Sequence, residues 1–392
     1  MLIPQGYRFA VAAGGFKKPG RLDLGVVESK VPAAAAGVFT TNKFQAAPVL
    51  AGRELLEQSE TARAVVINSG QANACTGDEG LENCRVTREL IAQNLGLQED
   101  DILPASTGVI GDQLKMDKWS EAMEQVRESF GKADPMDMAK AIMTTDSFPK
   151  LAWRSIEVDG REVRVLGMCK GAGMICPNMA TLLGLILTDA GIDPALWRRI
   201  ISWAVQESFN RVTVDGDTST NDTVYGLANG ASGVTFLEGA EEALAAAVLD
   251  VCQDLAYLIV QDAEGGTKIV QIDVVGAKDD AQADLAARAV GNSPLVKTAM
   301  YGKDPNWGRI AAALGRSGAD FDPNEVSISI GAIEIFKDGQ PISMDIDSMF
   351  APILDRQDVE IKVILGSGEG ESYLLASDLT HEYVTINADY RT

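Results

Sequence analysis

The chain has 392 residues, 46% of them hydrophobic, enough to bury a large core and unlike the composition of a disordered chain. Lys and Arg number 34 against 56 Asp and Glu, a formal charge of −22. A field of that sign repels phosphate backbones and anionic lipid, so neither nucleic acid nor a membrane is expected as a partner. The single histidine, His381, excludes His-based zinc sites and paired-histidine acid–base schemes, and no metal is expected.

The opening MLIPQGYRFAVAAGG lacks the basic start and long apolar core of a secretory signal. No apolar run is read as approaching the roughly 18 residues of a membrane span. The five cysteines, Cys75, Cys84, Cys169, Cys176 and Cys252, are odd in number and form no C-x-x-C pair, which fits reduced thiols and a cytoplasmic location.

Short strand-like runs come first: RFAVAAGG, DLGVVES and AAAAGVFTTN. The buried-strand pattern ARAVVINSG precedes a helix at Leu81–Leu95, where apolar residues recur at helical spacing. Two more helices are predicted at Lys115–Phe130 and Pro135–Met143. LAWRSIEVDGREVRVLGM reads as a β-hairpin turning at Asp159-Gly160. A glycine-rich loop, KGAGMICPNMAT, then enters the apolar strand Leu182–Leu187.

The second half predicts a helix at Pro194–Phe209, a strand pair flanking GDTSTND and a long helix at Glu238–Gln261. The strand KIVQIDVVG and helices at Asp280–Val290 and Trp307–Leu314 follow. VSISIG, AIEIF, VEIKVILG, ESYLLAS and EYVTINA read as closing strands, with GSGEGE as a hairpin turn. Strands and helices alternate throughout, which predicts an α/β class with layered sheets covered by helices.

Few segments suggest chemistry. STGVIG (Ser106–Gly111) reads as a turn, or as backbone N–H groups presented to an oxyanion. MTTDSFPK reads as a helix end and a proline-limited loop, and Asp222, Glu264 and Lys170 as solvated charges or ligands. His381, within the strand-like HEYVTIN, reads as structural rather than as a triad base.

Thr181 stands where the flexible loop becomes a buried strand. A threonine hydroxyl is a poor nucleophile until a base takes its proton. An α-amino group, with a pKa of about 8, is such a base, and Thr181 gains one if the Ala180–Thr181 bond breaks. The alternative is an ordinary threonine opening a buried strand.

KGAGMICPNMATLLGLILTDA (Lys170–Ala190) resembles the signature of the ornithine acetyltransferase family, the glutamate N-acetyltransferases of arginine biosynthesis. FTTNKFQAAPV, VVINSGQANACTG, STGVIG, MTTDSFPK, FNRVTVDGDTSTNDT, QDAEGGTK, GKDPNWGRI and the terminal INADYRT resemble that family in the same order, from about Gly6 to Thr392.

The resemblance implies an α/β layered sandwich of mixed β-sheets covered by helices, in an autoprocessed N-terminal-nucleophile-type enzyme. Self-cleavage between Ala180 and Thr181 would give an α chain, residues 1–180, and a β chain, residues 181–392. These are two pieces of one interwoven fold, which assemble as an α2β2 heterotetramer. Thr181 resembles the nucleophile, and Thr107 and Gly108 the oxyanion-hole pair. The substrate-contacting positions match Thr144 or Thr145, Lys170, Thr181, Glu264, Asn387 and Thr392. N2-acetyl-L-ornithine and L-glutamate are the implied substrates, with no cofactor; acetyl-CoA stands as an alternative donor substrate.

Overall fold

The computed structural model describes residues 1–17, 19–176 and 182–389. In chain order the strands are β1 (Tyr7–Ala12), β2 (Leu24–Phe39), β3 (Thr61–Gln71), β4 (Ile102–Val109), β5 (Lys150–Val158), β6 (Arg161–Lys170), β7 (Leu183–Thr188), β8 (Gly191–Ile192), β9 (Val212–Thr213), β10 (Thr223–Ala228), β11 (Thr235–Phe236), β12 (Ile269–Ala277), β13 (Ser327–Ile330), β14 (Ile333–Lys337), β15 (Gln340–Pro341), β16 (Asp358–Ile364) and β17 (Gly370–Ser377). The helices are α1 (Ala47–Gln58), α2 (Gly77–Leu95), α3 (Met116–Ser129), α4 (Pro135–Ile142), α5 (Pro194–Gln206), α6 (Glu242–Gln261), α7 (Asp280–Gly291), α8 (Pro294–Tyr301), α9 (Trp307–Gly315), α10 (Ile346–Leu354) and α11 (His381–Asp389). The described residues fall into two units: Met1–Asn210 with Asp217–Ile259, and Arg211–Gly216 with the described chain from Val260.

In the first unit the strands pair in the order β4-β3-β2-β10-β7-β6-β5, with β1 added on β2. The sheet is buried on both faces. Along β3, Val65 and Ile67 enter one apolar cluster while Ala64 and Val66 enter another, which is why its sequence is apolar without alternation. β7 lies parallel to β10 and antiparallel to β6, so Leu183 pairs with Thr223 on one side and with Lys170 on the other. The sheet curls strongly. Five strand spacings separate β4 from β6, about 24 Å if flat, yet side chains from their ends touch.

Two helices set up that end of the sheet. α4 starts with Pro135 and an Asp134 cap, its carboxylate accepting from the Asp137 N–H, and it delivers the Thr144–Asp146 loop. α3 buries Trp119, Ala122, Met123 and Val126 along one stripe. Trp119 stacks on Phe16, with ring centroids 5.2 Å apart, and so fixes the loop before β2.

The second unit carries a sheet in the order β15-β14-β13-β16-β12-β17-β9. Its core joins Ile272 and Val274 of β12 and Ile361 and Val363 of β16 to Ala283, Ala287 and Val290 of α7. The chain is thus a layered α/β fold in which mixed sheets are covered by helices.

Four expectations are corrected. EYVTINA is not a strand but part of α11, where the β-branched residues Val384 and Thr385 sit on an exposed helix. GSGEGE is no hairpin turn, because β16 and β17 lie on opposite sides of β12. The strands flanking GDTSTND do not pair: β9 and β10 belong to different sheets. α6 is long and apolar enough to cross a membrane, with half of its most apolar stretch buried. Leu244, Val248, Val251 and Leu255 form its buried stripe, while Asp250, Gln253 and Asp254 face away.

Candidate active site

Thr107 and Gly108 are not in a turn. They lie in the last residues of β4, paired in parallel register with Ser69 and Gly70 of β3. Gly108 has φ +133°, and a Cβ there would lie 2.2 Å from the Gly70 carbonyl carbon. Only glycine fits, because both the dihedral and the backbone contact exclude a side chain. Gly108→Ala is expected to destabilise the protein by about 2–5 kcal/mol, measurable as a lower denaturation midpoint.

Lys170 ends β6 and reaches across the curled sheet. Its Nζ donates to Thr107 Oγ1 at 3.2 Å, and the residue is only 6% exposed. Among the described residues this ammonium forms no ion pair. The family resemblance placed Thr107, Gly108 and Lys170 in one site, although Thr107 and Lys170 are 63 residues apart, and the fold brings them together.

The Thr144–Asp146 loop is fastened to the same place by a residue that sequence reasoning passed over. Asp146 Oδ1 accepts from Lys150 Nζ and from the Gly171 N–H, both at 2.7 Å, and Oδ2 accepts from the Thr144 N–H at 2.8 Å. Both side chains of the Asp146–Lys150 pair are fully buried. Burial alone would raise the Asp146 pKa, but the ammoniums of Lys150 and Lys170 and these hydrogen bonds hold it down at about 2. The i,i+4 spacing of Asp146 and Lys150 was the available signal. The Thr144 carbonyl accepts weakly from Arg21 at 3.5 Å. No described residue bonds the hydroxyl of Thr144 or Thr145.

Behind Lys170 lies Asp222, which immediately precedes β10. It is buried, and among the described residues its Oδ2 has no hydrogen-bond partner. Burial pushes its carboxyl well above the usual carboxylate range, with Lys170 pulling the other way. Its neighbour Asn221 donates from Nδ2 to the carbonyls of Ala72 at 2.6 Å and Ser106 at 2.8 Å, which clamps the approach to Thr107. Asp222, Lys170 and Glu264 are each no more than 9% exposed, so the reading of these three as solvated charges is wrong. Ala180 and Thr181 lie outside the described residues, as does Thr392. The strand that follows Thr181 is anchored from Leu182 onward, whose carbonyl accepts from the Thr223 N–H at 3.0 Å.

The second unit holds the remaining predicted residues. Asn387 Nδ2 on α11 donates to Glu264 Oε2 at 2.8 Å, so these two residues do meet. Gly265 makes the contact feasible: at φ +66°, a Cβ would lie 2.6 Å from the Tyr383 N atom of α11. Thr380 Oγ1 donates to the Gly265 carbonyl at 2.7 Å and accepts from the Tyr383 N–H at 3.2 Å. His381 begins α11 on the surface, edge-on to Tyr301 with ring centroids 5.9 Å apart.

Chemically, the first unit presents a glycine backbone at a strand end, a hydroxyl and a buried ammonium. Such donors stabilise a developing oxyanion or a carboxylate. The second presents a buried carboxylate with an amide, suited to a ligand N–H or ammonium.

Comparison with known proteins places this architecture. The ArgJ family matches residues 8–392. The arginine biosynthesis bifunctional protein ArgJ of Nitratidesulfovibrio vulgaris is 56% identical over 390 residues, 99% of each chain. That of Geobacter sulfurreducens is 47% identical over 391 residues, again 99% of each. A crystal structure of ArgJ from Bacillus halodurans superposes with a TM-score of 0.51 at 39% identity, covering 53% of this chain and 98% of that one. With a match across nearly its whole length, the chain belongs to the ArgJ family of arginine-biosynthesis acetyltransferases.

Proposed function

We propose that the protein is a glutamate N-acetyltransferase that moves the acetyl group of N2-acetyl-L-ornithine to L-glutamate through an acetyl-threonine intermediate on Thr181. The observation that carries this reading is the 3.2 Å contact between Lys170 Nζ and Thr107 Oγ1. It joins the assigned carboxylate ligand to the assigned oxyanion pair, beside the strand that Thr181 enters.

The precursor first cuts itself. Thr181 Oγ attacks the Ala180 carbonyl carbon, the C–N bond breaks as the C–O bond forms, and the nitrogen leaves as the amine of Thr181. Water hydrolyses the resulting ester, freeing the Ala180 carboxylate and the hydroxyl. The geometry on either side supports such a cut. β6 and β7 are antiparallel neighbours in register from Lys170↔Leu183, so opening the loop between them removes none of their ladder hydrogen bonds. Chains of residues 1–180 and 181–392 would both contribute strands to the first unit's sheet. Two copies of each form the α2β2 assembly, working in the cytoplasm.

In transfer, the Thr181 amine takes the Oγ proton, directly or through one water, and Oγ attacks the acetyl carbonyl. Charge develops on the carbonyl oxygen and is met by donors from Thr107 and Gly108; losing one such donor typically costs about 3 kcal/mol, a hundredfold or more in rate. The C–N bond breaks, ornithine leaves with a proton from the amine, and the acetyl group rests on Oγ. The glutamate amine attacks the ester and restores the hydroxyl. Lys170 pairs with a substrate carboxylate, Glu264 with the ornithine ammonium, and Asn387, Thr144 or Thr145 and Thr392 complete the contacts. Acetyl-CoA as donor would enter at the same ester.

Initial rates with both substrates varied are expected to give parallel double-reciprocal lines, as a covalent intermediate requires. Intersecting lines would rule out the acetyl-threonine.

A further inference from the structure

A second ammonium lies beside the oxyanion pair and is not used by the mechanism above. Gly70 pairs with Gly108, and a Cβ on Gly70 would lie 2.7 Å from Lys17 Cγ. The Lys17 stem therefore crosses the end of β3 next to the oxyanion pair. Its Nζ donates to the Met143 carbonyl, at the start of the Thr144–Asp146 loop. That bond uses one of three N–H groups, and among the described residues Lys17 makes no ion pair.

The loop carrying Lys17 is held rigidly. The buried Asp23 carboxylate accepts from the N–H groups of Gly14 and Phe16, each at 2.6 Å, and of Lys17 at 3.2 Å. Lys115 Nζ donates to the Phe16 carbonyl at 3.1 Å and Lys118 Nζ to the Gly15 carbonyl at 2.9 Å. A loop fixed in this way presents its side chain in one place, which is what a binding group needs.

The charge balance there is uneven. The charged groups that act on Lys17 are Arg21, Lys170, Asp146 and Asp23. Asp146 is occupied by Lys150 and two backbone N–H groups, and Asp23 by three backbone N–H groups. Lys17 and Lys170 are thus two neighbouring ammoniums without a carboxylate partner, in a chain of net charge −22. Burial, with Arg21 and Lys170 adding to it, pushes the Lys17 pKa down to about 7 against the pull of Asp146 and Asp23. A desolvated cation pair of this kind is stabilised by an anion that supplies one carboxylate to each. Of the two substrates only glutamate has two carboxylates; ornithine has a second ammonium instead.

We propose that Lys17 is the acceptor-selecting residue, its ammonium pairing with the side-chain carboxylate of glutamate while Lys170 holds the other. This rests on the acetyl-transfer reading. In the second half-reaction Lys17 favours glutamate over re-attack by ornithine, which has no side-chain carboxylate to pair with it.

The test compares kcat/KM for glutamate and for its γ-methyl ester as acceptors in wild type, Lys17→Met and Lys17→Arg. Wild type should prefer glutamate by roughly 10- to 100-fold, the usual worth of a hydrogen bond to a charged group. Lys17→Met should bring that ratio near one, and Lys17→Arg should restore most of it. A wild type with no preference, or a Lys17→Met enzyme that keeps it, overturns the assignment. Lys17→Gln repeats the measurement should Lys17→Met not melt cooperatively. Exchange of labelled ornithine into N2-acetylornithine by wild type, which needs no glutamate, separates the two levels. Without exchange the transfer reading falls; with exchange and an unaltered preference in the variants, only the role of Lys17 does.

Discussion

Thr181→Ala protein is expected to remain a single chain of 41.7 kDa and to transfer no measurable acetyl group. In the proposed mechanism, alanine removes the one oxygen that performs both attacks, on the Ala180 carbonyl and on the acetyl carbonyl. The amine of Thr181, which would serve as base, also never appears, because it exists only after the cut. Removing a nucleophile that works as a unit with its base typically lowers turnover by about 10³- to 10⁶-fold. A denaturing gel and an ornithine-release assay check both halves. Two bands from this variant would show that some other group opens the chain.

The second large effect is on stability. Asp146→Asn should destabilise the protein by about 3–5 kcal/mol, because it removes one charge of a fully buried ion pair, that of Asp146 with Lys150. Chemical denaturation measures it, and a loss below about 1 kcal/mol would contradict the account. Replacing both partners together, Asp146→Leu with Lys150→Met, should recover much of the loss, since both buried charges are then removed. The sign with pH follows from the depressed carboxyl. Its folded pKa of about 2 lies below the unfolded value, so its stabilisation is full above the ordinary carboxylate range and disappears as pH falls toward 2. Activity should fall with stability in Asp146→Asn, because the same carboxylate fastens the Thr144 loop to Gly171 beside Lys170.

Local chemistry makes much of this fold legible in the amino-acid sequence. The Asp159-Gly160 turn joins β5 to β6 in an antiparallel ladder, and Pro135 after Asp134 starts α4. What failed had a physical cause each time. EYVTINA has the β-branched composition of a strand but is carried as a helix, α11, whose N-terminal turn packs on Gly265. GSGEGE has the residues of a turn, but the partner of each flanking strand is β12, more than 80 residues before them. Short-range signals do not reveal such long-range pairing. α1, α8 and α10 were not predicted, although Pro48 and Pro294 mark the starts of the first two.

The candidate site was legible as motifs rather than as a place. Lys170, Thr107 and Gly108 were each marked, but only the curl of the sheet brings β4 and β6 into contact. Asp146, Asn221 and Lys17 were missed because their importance lies in burial and in bonds to distant backbone. A linear reading of TTDS, TSTND or GFKK contains no such information.

Whether Thr181 becomes an N-terminus that carries the acetyl group is decided by the intact mass of purified, active protein before and after exposure to N2-acetyl-L-ornithine. Two polypeptides are expected, one ending at Ala180 and one beginning at Thr181, with the second gaining the mass of one acetyl group at its first residue. Active material consisting of one uncut chain, or an acetyl group carried elsewhere, would contradict it.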